Sequence, residues 1–328
     1  MSESMKPEMS REQCRQCGRS AVVHRPYSGE ILCEQCFQLS IVDAVREAIS
    51  KWNMLQRTDR IAVAFSGGKD STVLLSILVE IQQKFPDSEV LAITLDEGIA
   101  ANRERIGILN ETTKRLGVEH VVSSYEELFS VSVDEIAERA HATQSSLSSC
   151  AYCGTLRRQG LNIVARQVRA DKLALGHSLD DEVQSMLMNV LSGDLQRLAR
   201  STPVQEGIRH WLIPRIKPLY HIPEQEVALY ASYLDLPIHR ARCPYAEESL
   251  RTEIREWLNA FESRHPGSKF NLAATMGKII SSLPSQPPEL IHKCRDCGEP
   301  TSSEVCGACM CREELGFSKG GSQERGRR

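Results

Sequence analysis

The residues of this chain best suited to chemistry are its twelve cysteines, which fall into three groups along 328 residues. The first group consists of two Cys-x2-Cys pairs, and the last contains two such pairs and one further cysteine; four thiolates at this spacing are typical of a closed, structural zinc site. Redox-active Cys-x-x-Cys motifs are the alternative, but they do not explain why the pairs are themselves paired. The predicted ligands are Cys14, Cys17, Cys33 and Cys36 for the first zinc, and Cys294, Cys297, Cys306 and Cys309 for the second, with Cys311 as a competitor for Cys309.

The central group, Cys150, Cys153 and Cys243, has one thiol too few to close such a shell. Three thiolates around an iron–sulfur cluster leave one iron open to an exogenous ligand, which is the arrangement needed to present a sulfide. Alternatively, Cys150 or Cys153 carries a persulfide and Cys243 resolves it. A third interpretation is that these are buried core thiols, which suits Cys243 better than it suits the Cys-x2-Cys pair.

A glycine-rich loop forms the second candidate site. An apolar run at 60–65 is typical of a buried strand, and it leads through Ser-Gly-Gly-Lys-Asp-Ser at 66–71 into a helical pattern. The two glycines let the backbone approach a phosphate, and the helix N-terminus offers free N–H groups to the anion. The loop is not a Walker A motif, because Val63 stands where that motif needs glycine and Asp70 where it needs serine or threonine. We therefore predict a nucleotide-phosphate site, with Asp96 at the end of the next strand either contacting the nucleotide or capping a loop.

Extended and helical patterns alternate around these sites, which predicts βαβ units and an α/β fold with helices on both faces of a parallel sheet. Strands are predicted at 60–65, 90–95, 120–123, 172–175 and 211–216, and helices at 71–82, 103–116, 155–169, 180–191 and 223–234. The predicted segments are an N-terminal four-cysteine zinc ribbon at 1–40, a connecting helix at 41–57, an α/β catalytic domain at 58–245, a helical extension with a linker at 246–288, a C-terminal four-cysteine zinc ribbon at 289–315 and a disordered tail at 316–328.

The bulk composition limits the surroundings and the partners. A formal net charge of −3 gives no sign of a nucleic-acid partner, so an RNA-binding surface would have to be a local basic patch. No segment approaches the roughly 20 apolar residues of a membrane span, and the N-terminus lacks a signal-peptide core. We therefore expect a cytoplasmic protein without a membrane partner, in which clustered thiols bind metal or do chemistry rather than form disulfides.

Taken together, the motifs resemble the TtuA/Ncs group of tRNA 2-thiolation enzymes, which are PP-loop ATP pyrophosphatases. The resemblance is carried by SGGKDST at 66–72, LDEGI at 95–99, CAYCG at 150–154 with the two arginines that follow it, GHSLDD at 176–181 and the lone Cys243. It runs from Cys14 to Cys309 and is closer to the cytosolic wobble-uridine branch, which is NcsA-like. It implies a PP-loop (adenine nucleotide alpha hydrolase-like) fold that uses ATP with Mg²⁺.

The resemblance also implies roles for individual residues. Cys150, Cys153 and Cys243 would bind a 4Fe–4S cluster with one open iron, and Asp181 matches a catalytic aspartate that orients magnesium or moves a proton. Arg157 stands where the thermophilic TtuA branch has a catalytic lysine, and only charge stabilisation carries over, since arginine keeps its proton near neutral pH. The implied ATP-binding residues are Ala64, Phe65, Ser66, Gly67, Gly68, Lys69, Asp70, Ser71, Leu95, Asp96, Arg157 and Gly176, with Lys69 also counted as catalytic.

The implied reaction is adenylation of the C2 oxygen of a tRNA uridine, followed by its replacement with sulfur to give 2-thiouridine. A thiocarboxylated ubiquitin-like carrier or free sulfide would supply the sulfur, and the enzyme would be a homodimer. The rivals are an amidotransferase, a cytidine thiolase, and a non-catalytic zinc-ribbon RNA-binding or scaffold protein, which would tolerate Lys69→Ala. Candidate contacts to tRNA phosphates are Arg157, Arg158, Arg166, Arg169, Arg197 and Arg200.

Overall fold

The computed structural model describes residues 12–143, 147–208, 211–241, 243–245, 250–283 and 291–317. The predicted tail lies outside the described residues after Phe317, as does most of the predicted linker, at 284–290. Among the described residues there is no helix long and apolar enough to span a membrane.

The strands form one central sheet and two small hairpins. They are β1 (Val23–Arg25), β2 (Glu30–Leu32), β3 (Arg60–Ala64), β4 (Glu89–Asp96), β5 (Glu119–Ser124), β6 (Lys172–Ala174), β7 (Val204–Gln205), β8 (Arg215–Ile216), β9 (His292–Lys293) and β10 (Pro300–Thr301). The central sheet has the order β5-β4-β3-β6-β8-β7, and its strands are parallel except for β7 at one edge. The predicted α/β class with a mostly parallel sheet is confirmed.

The helices cover both faces of this sheet. They are α1 (Glu34–Lys51), α2 (Lys69–Gln82), α3 (Arg105–Leu116), α4 (Tyr125–Phe129), α5 (Val133–Ala142), α6 (Ser149–Gln167), α7 (Leu179–Leu191), α8 (Leu195–Ala199), α9 (Glu224–Tyr233), α10 (Leu250–Arg264), α11 (Ser268–Ser282) and α12 (Gly307–Glu314). The helix predicted at 155–169 begins earlier, at Ser149, because Tyr152 packs fully buried against the sheet. Cys150 and Cys153 therefore lie in the first turns of α6 and not in a loop before it.

Two apolar clusters hold the layers together, one on each face of the sheet. Phe37 of α1 and Leu74 of α2 belong to the first cluster, and Tyr152 of α6 belongs to the second. Each four-cysteine module joins one of them, since Cys33 packs in the first and Cys306 in the second. The helical extension, α10 and α11, packs separately on α7.

Candidate active site

A cavity of 420 Å³ opens where β3, β4 and β6 end, which is the edge at which open parallel sheets bind ligands. It is lined both by the loop after β3 and by residues from the central cysteine group. Of the predicted ATP-binding residues, Gly67, Lys69 and Asp96 are not among the lining residues. Those that line the cavity are Ala64, Phe65, Ser66, Gly68, Asp70, Ser71, Leu95, Arg157 and Gly176.

The loop after β3 presents backbone to this cavity. Gly68 precedes the first residue of α2 and provides no side-chain cap, so the first N–H groups of the helix are available to an anion. Ser66 and Ser71 place their hydroxyl oxygens 3.2 Å apart beside these groups. Gly176 closes the other side, where a Cβ would lie 3.1 Å from the backbone of Asp70 and Ser71. These features form a cradle suited to phosphate.

Lys69 is directed away from this cradle. Its Nζ donates to both carboxylate oxygens of Asp70, at 3.0 and 2.9 Å, and to Glu224 at 2.9 Å. Burial by itself lowers the pKa of Lys69, but the two carboxylates outweigh it and raise the pKa, so the side chain is a firmly protonated cation. In this arrangement Lys69 braces the loop, and the loop backbone faces the cavity.

The strand-end acidic residue that faces the cavity is Glu97, which the sequence analysis did not single out. Asp96 instead accepts a hydrogen bond from the N–H of Gly98 at 3.1 Å, which is the loop-capping alternative. Glu97 is buried and lies between two arginines: it pairs with Arg105, and its Oε1 lies 3.4 Å from Arg157 Nη2. Asp96 and Glu97 both belong to LDEGI, at and just after the end of β4. Because consecutive side chains of an extended segment point to opposite sides, sequence position alone does not select the one that faces the ligand.

Arg157 links this acidic group to the thiols. Its Nη2 lies 3.4 Å from the Sγ of Cys153 as well as 3.4 Å from Glu97, and half of the side chain remains open toward the cavity. Burial lowers the pKa of Arg157, but the neighbouring Cys153 and Glu97 more than compensate and raise it. Arg157 is therefore a permanent cation at this site, as the sequence analysis expected.

The three central cysteines gather at the end of the cavity near Arg157. Cys243 lines the cavity and packs in the same cluster as the buried Cys153, while the thiol of Cys150 donates to the carbonyl of Tyr245 at 3.2 Å. Among the described residues their sulfur atoms do not converge as tightly as those of a single-ion site, for which all ligand atoms lie within 4.8 Å of one another. A four-iron cluster is larger than one ion and holds its ligand sulfurs further apart. The donor set is three neighbouring thiols, of which Cys243 lies on the cavity wall and Cys153 beside the cation of Arg157, and it therefore fits such a cluster.

Asp181 and two histidines complete the cavity wall. Asp181 Oδ2 accepts hydrogen bonds from the N–H and the hydroxyl of Ser178, both at 3.0 Å, as the reciprocal cap of α7. Burial raises the pKa of Asp181, but His177 and Ser178 outweigh burial, so the carboxylate stays ionised. His239 donates its backbone N–H to Gly67 at 2.8 Å, and its ring Nε2 is buried without a partner among the described residues. The sequence analysis assigns no role to either histidine. For His239 the reason is that only the fold brings it to the loop.

Both terminal cysteine groups converge. In each, the four sulfur atoms lie within 4.8 Å of one another, and the second group contains Cys309 and not Cys311. Hydrogen bonds from Cys297 and then Cys309 lower the pKa of Cys306, which favours its metal-binding thiolate form. These groups fit the predicted zinc ribbons.

A glycine-lined cradle at the carboxyl end of a parallel sheet, without a Walker lysine in it, defines a PP-loop ATP-binding protein. Accordingly, the PP-loop domain family matches residues 39–259, and the family of 2-thiouridine synthetase TtuA N-terminal LIM domains matches residues 13–38. The chain belongs to the TtuA/NcsA-type tRNA thiolases of the PP-loop family.

Individual relatives agree with this assignment. The tRNA 2-thiolation protein NcsA of Haloferax volcanii is 36% identical over 92% of this chain and 99% of its own length. Cytoplasmic tRNA 2-thiolation protein 1 of Drosophila melanogaster is 32% identical over 92% of this chain and 87% of its own length. The solved structure of the U34-tRNA thiolase NcsA from Methanococcus maripaludis, with its 4Fe–4S cluster, is 31% identical and superimposes with a TM-score of 0.81, covering 93% of this chain and 97% of that one.

Proposed function

We propose that this chain is an ATP-dependent tRNA sulfurtransferase that adenylates the C2 oxygen of a tRNA uridine, at the wobble position, and replaces it with sulfur. One observation carries the proposal: the phosphate cradle, Arg157 and Cys243 line a single cavity. An adenylated oxygen and the sulfur that displaces it must meet at one carbon atom, so the nucleotide and the thiols must share one cavity. An adenylating enzyme without sulfur chemistry has no need of thiols there.

At the nucleotide end, the chain binds and orients ATP with its Mg²⁺. The free N–H groups of α2 and the hydroxyls of Ser66 and Ser71 stabilise the negative charge that builds on the departing pyrophosphate. Lys69 supports this loop through Asp70 and Glu224 rather than through the phosphates. Asp181 keeps its negative charge on the cavity wall, where it would orient the magnesium ion that accompanies ATP.

At the thiol end, Cys150, Cys153 and Cys243 would hold a 4Fe–4S cluster, which supplies an open iron that presents sulfide when it is bound. Arg157 keeps a positive charge 3.4 Å from the sulfur of Cys153, where it can offset the negative charge of a metal-bound thiolate. The same cation lies on the cavity wall, where it can stabilise the negative charge on the atoms bonded to C2 when sulfur attacks this carbon. Two structural zinc ions in the terminal ribbons complete the metal content.

The substrate tRNA would dock on the basic side of α6. Arg158 and Arg215 lie together there, since Arg215 Nη2 donates to the Arg158 carbonyl at 3.0 Å. Burial lowers the pKa of Arg158, and the positive charge of Arg197 lowers it further, so Arg197 is close as well. Clustered arginines of this kind bind phosphate. Arg166 is paired with Glu299 of the second ribbon, which neutralises its charge, so we do not propose it as a phosphate contact. A thiocarboxylated carrier or free sulfide as the sulfur source, a homodimeric state and a cytoplasmic location belong to the same proposal.

The test is thiolation of an unmodified tRNA by anaerobically purified protein, read as retardation of the tRNA in a mercury-containing gel. Cys243→Ala should abolish thiolation, whereas Cys311→Ala, which removes a thiol outside the cavity and outside both four-cysteine groups, should retain it. Full activity of Cys243→Ala would overturn the sulfur chemistry assigned to this cavity.

A further inference from the structure

His177 is a titratable group of the cavity that neither the phosphate cradle nor the thiol centre uses. It follows Gly176 after the end of β6, and it lines the cavity together with Ser66 and Arg157. Its side chain is 48% exposed, so a ligand in the cavity can reach the imidazole.

A buried ion pair stands behind this histidine. Lys217 Nζ donates to Glu182 Oε2 at 2.8 Å, and both side chains are almost completely buried. The other oxygen of Glu182 lies 3.8 Å from Nδ1 of His177. This separation is longer than a hydrogen bond, but catalytic contacts are often long before the substrate binds. Closure of this contact would hold the proton on Nδ1 and leave Nε2 as the basic nitrogen for a ligand.

The other acid–base groups described on the cavity wall are already engaged. Asp70 directs both oxygens at Lys69, and Glu97 lies between two arginines. Asp181 caps its own helix and stays ionised through a lowered pKa, which makes it a weak base. Arg157 keeps its proton. His239 is the remaining alternative, but no described carboxylate orients its ring.

Adenylation of a uridine requires a base. When the C2 oxygen attacks the α-phosphorus of ATP, the new O–P bond forms, the bond from phosphorus to pyrophosphate breaks, and the proton on N3 must leave so that an N3=C2 double bond can form. Resting on the function proposed above, we propose that Nε2 of His177 accepts this N3 proton. The imidazolium returns the proton to N3 once sulfur has replaced the adenylated oxygen, so no net proton is consumed by the histidine.

The charges around His177 favour this role. Partial burial of the ring lowers the pKa of His177, and the positive charges of Lys217, which directly follows β8, and of Arg251 in α10 lower it further. The negative charges of Asp181 and Glu182 in α7 raise it. The net result is a lowered pKa. The imidazole is therefore neutral near neutral pH and can accept a proton, while an ordinary histidine would be partly protonated just below that range.

The experiment measures tRNA-dependent release of pyrophosphate in a single turnover, with anaerobically purified protein, unmodified tRNA, Mg²⁺ and ATP but no sulfur source. His177→Gln should lower the rate by about 100-fold or more, the range expected for loss of general base catalysis. In the wild type the rate should rise with pH through the lowered pKa of His177 and then level off, and His177→Gln should lose this rise. His221→Gln is the matched control, because His221 is also partly buried with a pKa lowered by burial but does not line the cavity.

Two further measurements separate the possible outcomes. Glu182→Gln should shift the rise to lower pH, because Glu182 holds the pKa of His177 up, and a purely structural histidine would show no such shift. ATP affinity should stay the same in His177→Gln, which shows that the site remains folded. A wild-type protein that releases no pyrophosphate with tRNA would refute the proposed function itself. Two other results would refute the role of His177 alone, provided that the wild-type protein releases pyrophosphate as expected. One is an unchanged pH profile in His177→Gln, and the other is a loss of the rise only in His239→Gln.

Discussion

Replacing Gly67 by alanine tests whether the shape of the loop backbone controls nucleotide binding. Gly67 has φ +79°, and its ideal Cβ would lie 2.2 Å from Cδ1 of the fully buried Leu109. The left-handed backbone costs alanine about 1–2 kcal/mol. Overpacking against Leu109 adds about 1–3 kcal/mol. Either Leu109 or the loop must move to relieve this contact. Because Leu109 is fully buried, we expect the loop to move, which displaces its N–H groups from the phosphates.

We therefore expect Gly67→Ala to weaken ATP binding and to lower the melting temperature. If the loop shift costs binding about 2 kcal/mol, the Kd for ATP measured by calorimetry rises roughly 30-fold. Gly277→Ala is the control: this glycine lies inside α11 with no atom within 4 Å of a new Cβ, so alanine should stabilise the protein by about 0.5–1 kcal/mol and leave ATP binding alone. Unchanged ATP affinity and melting temperature in Gly67→Ala would show that the loop tolerates a side chain, against this reasoning.

The remaining predictions concern charge and metal. Arg157→Met should reduce thiolation at least tenfold, because it removes the cation shared by Cys153 and Glu97, whereas Arg157→Lys should keep part of the activity; equal loss in both would point to geometry rather than charge. Cys309→Ser should lose one zinc by elemental analysis and lower the melting temperature, while Cys311→Ser keeps both; the reverse result would exchange the ligand assignment. Since the pKa of Asp181 is lowered on folding, its contribution to stability is present above the unfolded pKa and is lost as pH falls through the folded one. The difference in unfolding free energy between wild type and Asp181→Asn should thus be constant near neutral pH and shrink below about pH 4, and a difference that grows there would contradict the assigned shift.

The strongest sequence signals were local ones. The strand predicted at 60–65 and the loop that follows it were found because an apolar run, two glycines and a helical pattern lie next to each other in the chain, and the structure has β3 at 60–64 and α2 from Lys69. The converging four-cysteine groups were predictable for the same reason, since each is built from two short spacings. Where one stretch of chain makes the whole feature, the sequence is sufficient.

Features that depend on distant partners were missed or misplaced. The strand predicted at 211–216 joins the central sheet only as the two-residue strand Arg215–Ile216, because Pro214 has no N–H for a ladder and the N–H of Ile213 donates to Asn162 of α6 at 3.0 Å. His239 reaches the phosphate loop only through its hydrogen bond to Gly67, from far along the chain. The direction of Lys69 likewise depends on Glu224, and no sequence pattern places Glu224 beside it.

Helix α6 explains why a structural metal site accompanies the catalytic cavity. Its first turns carry Cys150, Cys153 and Arg157, and its later turns bind the second ribbon: Gln159 contacts the sulfurs of Cys297 and Cys306, and Arg166 pairs with Glu299. The contact from Gln159 to Cys306 is 3.4 Å, so the ribbon's metal ligands touch the same helix that holds two of the cavity's thiols. A helix with both anchors has little freedom to slide or rotate. The second four-cysteine group thus fixes the position of the thiols relative to the phosphate cradle, although we expect its own four sulfurs to take no part in the reaction.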